Sequence, residues 1–333
     1  MRRLSAVSVS LLLFVVSQIV VAQRGAGQPQ GARDVRVHAI PGVVADGAAW
    51  TIAWQGTDNA DGIVGTADGG LLFAQEQPSQ VSRLDANDQV SVFLRDTHGA
   101  GALAIDAAGR ILAVERTCTD PGRRAPAACV EPTVVGVLAP EHRTLADSFD
   151  GKPLGRLNDL VVDRKGGVYF TVGGAFYANA GGRVTSLGDD IRANGIMLSR
   201  DERIVYVTNG NVVLAFDVQP DGSARNRRDF GRLEAGGNGD GMAIDAEGRV
   251  YVTSAPGVQI LGTDGTYLGL IPTPRSVISV AFSGADNKTL YVVGSGALGP
   301  DGKEFLTPDG VRNNAKTIYR LPMLARGFSG RAK

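Results

Sequence analysis

One unit recurs six times along this chain: a short apolar strand, an Asp-x-x-Gly turn or its equivalent, then an alternating strand. It reads DGIVGTADGGLLFA from Asp61, GALAIDAAGRILAV from Gly101 and NDLVVDRKGGVYFT from Asn158. It continues as NGIMLSRDERIVYVT from Asn194, DGMAIDAEGRVYVT from Asp240 and ISVAFSGADNKTLYVV from Ile278. The starts fall 40, 57, 36, 46 and 38 residues apart. A period near 40 residues, made of strands and turns alone, predicts an all-β six-bladed β-propeller with four-stranded antiparallel blades around a central channel. Further strands are expected at Val81–Asp85, Val134–Leu138, Val212–Val218, Val258–Leu261 and Thr317–Leu321. Val35–Ile40 precedes the first unit and is expected to pair with C-terminal strands and close the ring, since closure removes exposed edges. A β-sandwich is the rival arrangement, but sandwiches do not require equal repeats.

The chain ends differ from the repeats. Arg2 and Arg3 precede an apolar run, Leu11–Val16, and Val20-Val21-Ala22 leads to Gln23, the order of a cleavable export signal. The run is broken by Ser17 and Gln18 and is short for a membrane anchor. The expected organisation is a signal over 1–22, a Gly/Gln-rich leader over 23–33, one propeller over 34–325 and a basic tail over 326–333. The product is periplasmic or secreted, with no membrane span after cleavage. In an oxidising compartment Cys118 and Cys129, which bracket TDPGRRAPAA, are expected to form a disulfide. Closing such a loop contributes roughly 2–3 kcal/mol. The other reading, a redox pair, lacks the C-x-x-C spacing.

Composition narrows the chemistry. With 34 basic and 34 acidic side chains there is no positive excess for nucleic acid. Three histidines and two cysteines are too few for a Cys/His zinc site, an iron–sulfur cluster or a haem attachment. Oxygen donors, however, recur in register. The equivalent position of the six units holds Asp61, Gly101, Asn158, Asn194, Asp240 and Ile278. The first strand of a propeller blade lies innermost, so four of six aim a side-chain oxygen at one axis. Two carboxylates and two amides suit a hard divalent cation, Ca2+ first and Mg2+, Mn2+ or Zn2+ as alternatives, with positions left for water or substrate. The competing explanation is that Asn-Gly and Asp-Gly merely make turns. It serves 61–62, 194–195 and 240–241 better than Asn158, which Asp159 follows.

These segments resemble the gluconolactonase/regucalcin family, also called the senescence-marker-protein family, of six-bladed propellers. The likeness runs from about Asp61 to about Leu321. It rests on DGIVGTADGGLLFA, GRLNDLVVDRKGGVYFT, ANGIMLSRDERIVYVTNG, GDGMAIDAEGRVYVT and VAFSGADNKTLYVV. The resemblance implies a divalent metal held by Asp61, Asn158, Asn194 and Asp240, with Arg156 contacting substrate and Asp240 serving as the catalytic base. Asp61 stands where the family has Glu, and Ile63 and Leu157 stand where it has proline. The acidic sugar contact that some members carry has no match in GGAFYANAGG (173–182).

The function this implies is metal-dependent hydrolysis of a lactone, a small-molecule substrate, with the metal polarising the carbonyl and a carboxylate activating water. The alternatives are a non-catalytic exported propeller that binds a ligand or protein, and a propeller oxidoreductase with a bound quinone. The scarcity of aromatic residues and histidine weighs against the last. Arg156 is read equally as a solvated loop arginine. His98, Glu76 and Trp54 are further candidate substrate contacts. Two of them have a plain alternative: a solvated histidine for His98, and packing against the ring for Trp54 and its neighbour Trp50. No G-x-S-x-G elbow supports a serine triad. The glycine strings at 173–174 and 236–239 lack a following helix and so are not phosphate loops.

Overall fold

The structure, a computed structural model, describes residues 31–116, 132–305, 316–331 and 333. Residues 1–22, most of the leader, Cys118 and Cys129 lie outside the described residues. Six four-stranded antiparallel sheets form a six-bladed propeller, and no described residue is helical. The innermost strands are Ile63–Gly65, Ala100–Ile105, Leu160–Val162, Ile196–Leu198, Met242–Ile244 and Val277–Ser283. Each pairs with the strand that follows it in sequence.

The inner strands read as continuous apolar runs because both of their faces are buried. In the first blade Ile63 and Phe73 pack toward the sixth blade, while Val64, Leu72 and Ala74 pack toward the second. The core is therefore a series of apolar layers between neighbouring blades.

The Asp-x-x-Gly signature has a local cause. Asp106 Oδ1 accepts the N–H groups of Ala108 and Arg110, and Asp163 Oδ1 those of Lys165 and Gly167. Asp245 Oδ1 does the same for Glu247 and Arg249. The glycine takes the left-handed conformation that an L side chain resists, with φ 77° at Gly109, 81° at Gly166 and 91° at Gly248. Where the signature is lost, Glu202 and Asn287 occupy the same conformation.

Ring closure corrects the sequence reading. Val35–Ile40 forms no strand; Thr51–Gly56 pairs with Lys316–Pro322 and becomes the outermost strand of the sixth blade. Pro41 and Gly42 interrupt the earlier segment, which turns back through an Ile40–Val44 bridge. Its apolar residues Val37, Ile40, Val43 and Val44 instead bury against the fifth and sixth blades. The TIAWQG strand exposes part of one face, as an outer strand does.

In the basic tail, Arg326, Phe328 and Arg331 bond to the innermost strands of blades four and five or to the turns that follow them. Ala246 N–H bonds Arg326 O, Phe328 N–H bonds Ile244 O, and the Arg331 guanidinium donates to Leu198 O at 2.6 Å while pairing with Glu202.

Candidate functional site

Four of the six ring positions carry the expected oxygens, each two residues ahead of an innermost strand: Asp61, Asn158, Asn194 and Asp240. All four are partly buried. The glycines after three of them are not turn residues, since none of Gly62, Gly195 and Gly241 has a positive φ. They permit close approach between blades. A Cβ on Gly195 would stand 2.0 Å from Asp240 O, and one on Gly62 would stand 2.4 Å from Ala102 Cα. Gly62 N–H and Gly241 N–H bond the next blade's ring position, at Gly101 O and Ile278 O. Asp159 fills the corresponding place in the third blade, where its Oδ2 accepts Ile196 N–H at 3.1 Å.

A layer of buried threonines holds these backbones. Thr171, Thr208 and Thr253 lie in or at the end of the second strands of blades three, four and five and are fully buried. Thr171 Oγ1 donates to Asn194 O at 2.5 Å, Thr208 Oγ1 accepts Gly195 N–H at 2.8 Å, and Thr253 Oγ1 donates to Gly241 O at 3.0 Å. Sequence reading missed this layer, although the closing threonine of VYFT, IVYVT and VYVT is its signal.

Charge is concentrated here. Burial, then the negative charges of Asp61 and Asp159, push the Asp240 carboxyl well above the usual carboxylate range, while Gly241 N–H and Arg116 pull it down. Arg116 fills the space left at Gly101, where a Cβ would overlap its guanidinium. That guanidinium reaches Asp61 Oδ2 at 2.5 Å and also pairs with Glu76; the Arg116 and Glu76 side chains are each 1% exposed, whereas Asp61 is only partly buried. Lys333 Nζ enters from below and donates to Asp159 Oδ2 at 2.5 Å and Ile196 O at 2.8 Å. Amid these paired groups Asn194 Oδ1 is buried and accepts no hydrogen bond. A buried acceptor of this kind calls for a partner. With two carboxylates and a second amide at equivalent positions, the donor set fits a divalent cation.

The family pattern described as the SMP-30/gluconolactonase/LRE-like region matches residues 60–296. The chain belongs to this family. A gluconolactonase from Zymomonas mobilis is 25% identical over 281 residues, 71% of this chain and 76% of its own length. Among solved structures, a Xanthomonas campestris gluconolactonase superimposes with a TM-score of 0.68 at 23% identity, over 90% of this chain and 99% of that one. A protein from Agrobacterium tumefaciens described as calcium-binding, a regucalcin, gives 0.63 at 19% identity, over 84% and 95%.

In this member of the SMP-30/gluconolactonase family the remaining candidates differ in placement, and Glu76 is tied to the ring position Asp61 through Arg116. Arg156 is exposed on the loop before Asn158. Glu76 is buried against Arg116. Trp54 lies on the outermost strand of the sixth blade, with its ring 4.8 Å from that of Phe73, and Trp50 Nε1 donates to Pro272 O at 2.8 Å. His98 stacks on His142 at 4.6 Å. Arg116, Asp159 and Lys333 escaped the sequence reading, because their partners lie 55, 37 and 174 residues away.

Proposed function

We propose that this chain hydrolyses a cyclic ester, a lactone, with the help of a divalent cation held in its channel. The observation that carries the reading is the unpartnered Asn194 Oδ1 at a ring position matched by Asp61, Asn158 and Asp240. Membership of the SMP-30/gluconolactonase family and the activity named for the Zymomonas relative support it. Calcium is the first choice, because every donor is oxygen and the Agrobacterium neighbour is described as calcium-binding. Mg2+, Mn2+ and Zn2+ are the alternatives.

Asp61, Asn158, Asn194 and Asp240 would hold the cation. When bound, it polarises the ester carbonyl and stabilises the charge that develops on its oxygen. The chain's own groups do the rest. Asp240 takes a proton from the attacking water, whose oxygen adds to the carbonyl carbon. The ring C–O bond then breaks, and the leaving oxygen takes up a proton to give a hydroxy acid. Arg116, held by Glu76, fixes Asp61. Arg156 orients substrate through a hydroxyl or carboxylate at the open mouth.

Purified mature protein assayed against a lactone panel, with and without chelator, tests this reading. The expected result is hydrolysis that chelation abolishes and Ca2+ restores. Turnover indifferent to chelation removes the cation from the mechanism. A ligand-binding propeller without catalysis is the second reading. It is favoured by Arg116, which already balances Asp61 without an added ion. Absence of turnover on every lactone would leave that reading standing.

Export with cleavage after Ala22 and a Cys118–Cys129 disulfide belong to the same proposal. The motivation is the signal-like segment 1–22 and the turn-rich loop between the cysteines. Peptide mass mapping of non-reduced protein from the periplasm or medium should give Gln23 as the first residue and a linked Cys118–Cys129 pair; two alkylatable thiols would refute the disulfide.

A further inference from the structure

Two of the chain's three histidines gather around one carboxylate of the second blade, none of them a ring-position oxygen donor. Glu115 ends the strand Ile111–Glu115 with its side chain 3% exposed. Its carboxylate lies over Gly136 of the neighbouring strand Val134–Ala139, where a Cβ would stand 2.0 Å from Glu115 Oε1. Only glycine leaves room for it. His142, just before the strand Arg143–Ala146, places Nε2 3.1 Å from both Glu115 oxygens. His98 belongs to the short segment between the outermost strand of the first blade and the innermost strand of the second. It sits at φ 51°, an unusual conformation for a residue with a side chain, and its carbonyl accepts Arg116 N–H at 3.0 Å. The His98 and His142 rings stack 4.6 Å apart at 20°, and one ligand atom from each of the three residues lies within 4.8 Å of the others.

We propose that His98, Glu115 and His142 form a second metal site, for a zinc-type transition ion, on the wall of the second blade. The chemistry separates it from the channel. Two imidazole nitrogens and one carboxylate are a zinc-type donor set, whereas the channel offers oxygen alone. A tetrahedral ion with bonds of about 2.0–2.1 Å needs ligand atoms about 3.3 Å apart. The His142–Glu115 pair already has this spacing, and rotation of the exposed His98 ring brings in the third donor. With three protein ligands, and with the imidazoles facing solvent, the fourth position falls to water. Strand alternation sends Glu115 to this site and Arg116 to the channel, so the two sites share a strand end but no ligand.

The test is Zn2+ titration of the full mature chain by calorimetry, with Ca2+ in excess to occupy the channel, and Co2+ as a spectroscopic probe. The expected result is one Zn2+ per chain that Ca2+ does not displace, and the absorption bands of four-coordinate Co2+. His142→Ala and, independently, His98→Ala should weaken Zn2+ binding roughly 10–100-fold or more. Both residues are exposed, so neither change threatens folding, and circular dichroism checks this. No Zn2+ binding, displacement by Ca2+, or unchanged affinity in both variants would each overturn the site. The result does not depend on lactone hydrolysis, so failure of either proposal leaves the other standing.

Discussion

At the scale of single residues, two side chains separate catalysis from cation binding. Asp240→Asn keeps the shape of the side chain but removes its charge and the proposed base. With cation saturating, turnover should fall by about 10²–10⁴-fold, the usual worth of a general base. Wild-type turnover in that variant would remove Asp240 from the base role. Asn194→Ala, which deletes the unpartnered acceptor, should act on cation affinity instead, and excess cation should restore activity. Arg116 supports a different expectation. Its guanidinium is 1% exposed and paired with the equally buried Glu76. Arg116→Ala removes the cation from this buried pair, and loss of one partner of such a pair costs about 3–5 kcal/mol. Denaturant unfolding measures it; a change under ~1 kcal/mol would mean that water reaches Glu76. Arg116 was not legible in the sequence because nothing local marks it. Its role comes from the gap at Gly101 in the adjoining strand and from partners in another blade.

At the scale of elements, the hairpins carry their own instructions. An Asx turn and a left-handed glycine join inner strands in blades two, three and five, so these units can be read without tertiary context. Gly109 gives a clean test, because a Cβ there would touch nothing within 4 Å and only backbone strain remains. Gly109→Ala should cost about 1–2 kcal/mol, and Gly109→Asn less. Equal stability of all three proteins by thermal melting would show that the turn relaxes freely. Val35–Ile40 shows the limit of this local reading. Its apolar alternation has the right pattern for a strand, but Pro41 and Gly42 turn the chain back, and the closing place goes to Thr51–Gly56. Pairing partners depend on which edge of the sixth blade lies open, a property of the assembled ring.

At the scale of the whole molecule, the proposed cation joins blades one, three, four and five at the axis, where their carboxylates otherwise repel. An ion bound by the folded chain alone should stabilise it by about 2.7 kcal/mol at a hundred times its dissociation constant. Thermal melts with added Ca2+ should therefore move upward, and the shift should shrink sharply in Asp240→Asn. A melting temperature indifferent to every divalent ion would count against the channel site. The tail acts at the same scale: Arg331 bonds Leu198 O and Lys333 bonds Asp159, which ties the basic tail to blades four and three.

The sequence alone determined the number of blades, the register that puts Asp61, Asn158, Asn194 and Asp240 each two residues ahead of an innermost strand, and the turns that follow the inner strands. All three are periodic or local, and they repeat wherever the chain repeats. Tertiary structure decided which strand closes the ring, how Arg116 takes the place of a missing side chain at Gly101, where Lys333 ends, and that His98 meets Glu115 and His142. Each is a contact between segments that no period relates. Such contacts exist only once strand twist and blade packing have fixed the separation of distant parts of the chain.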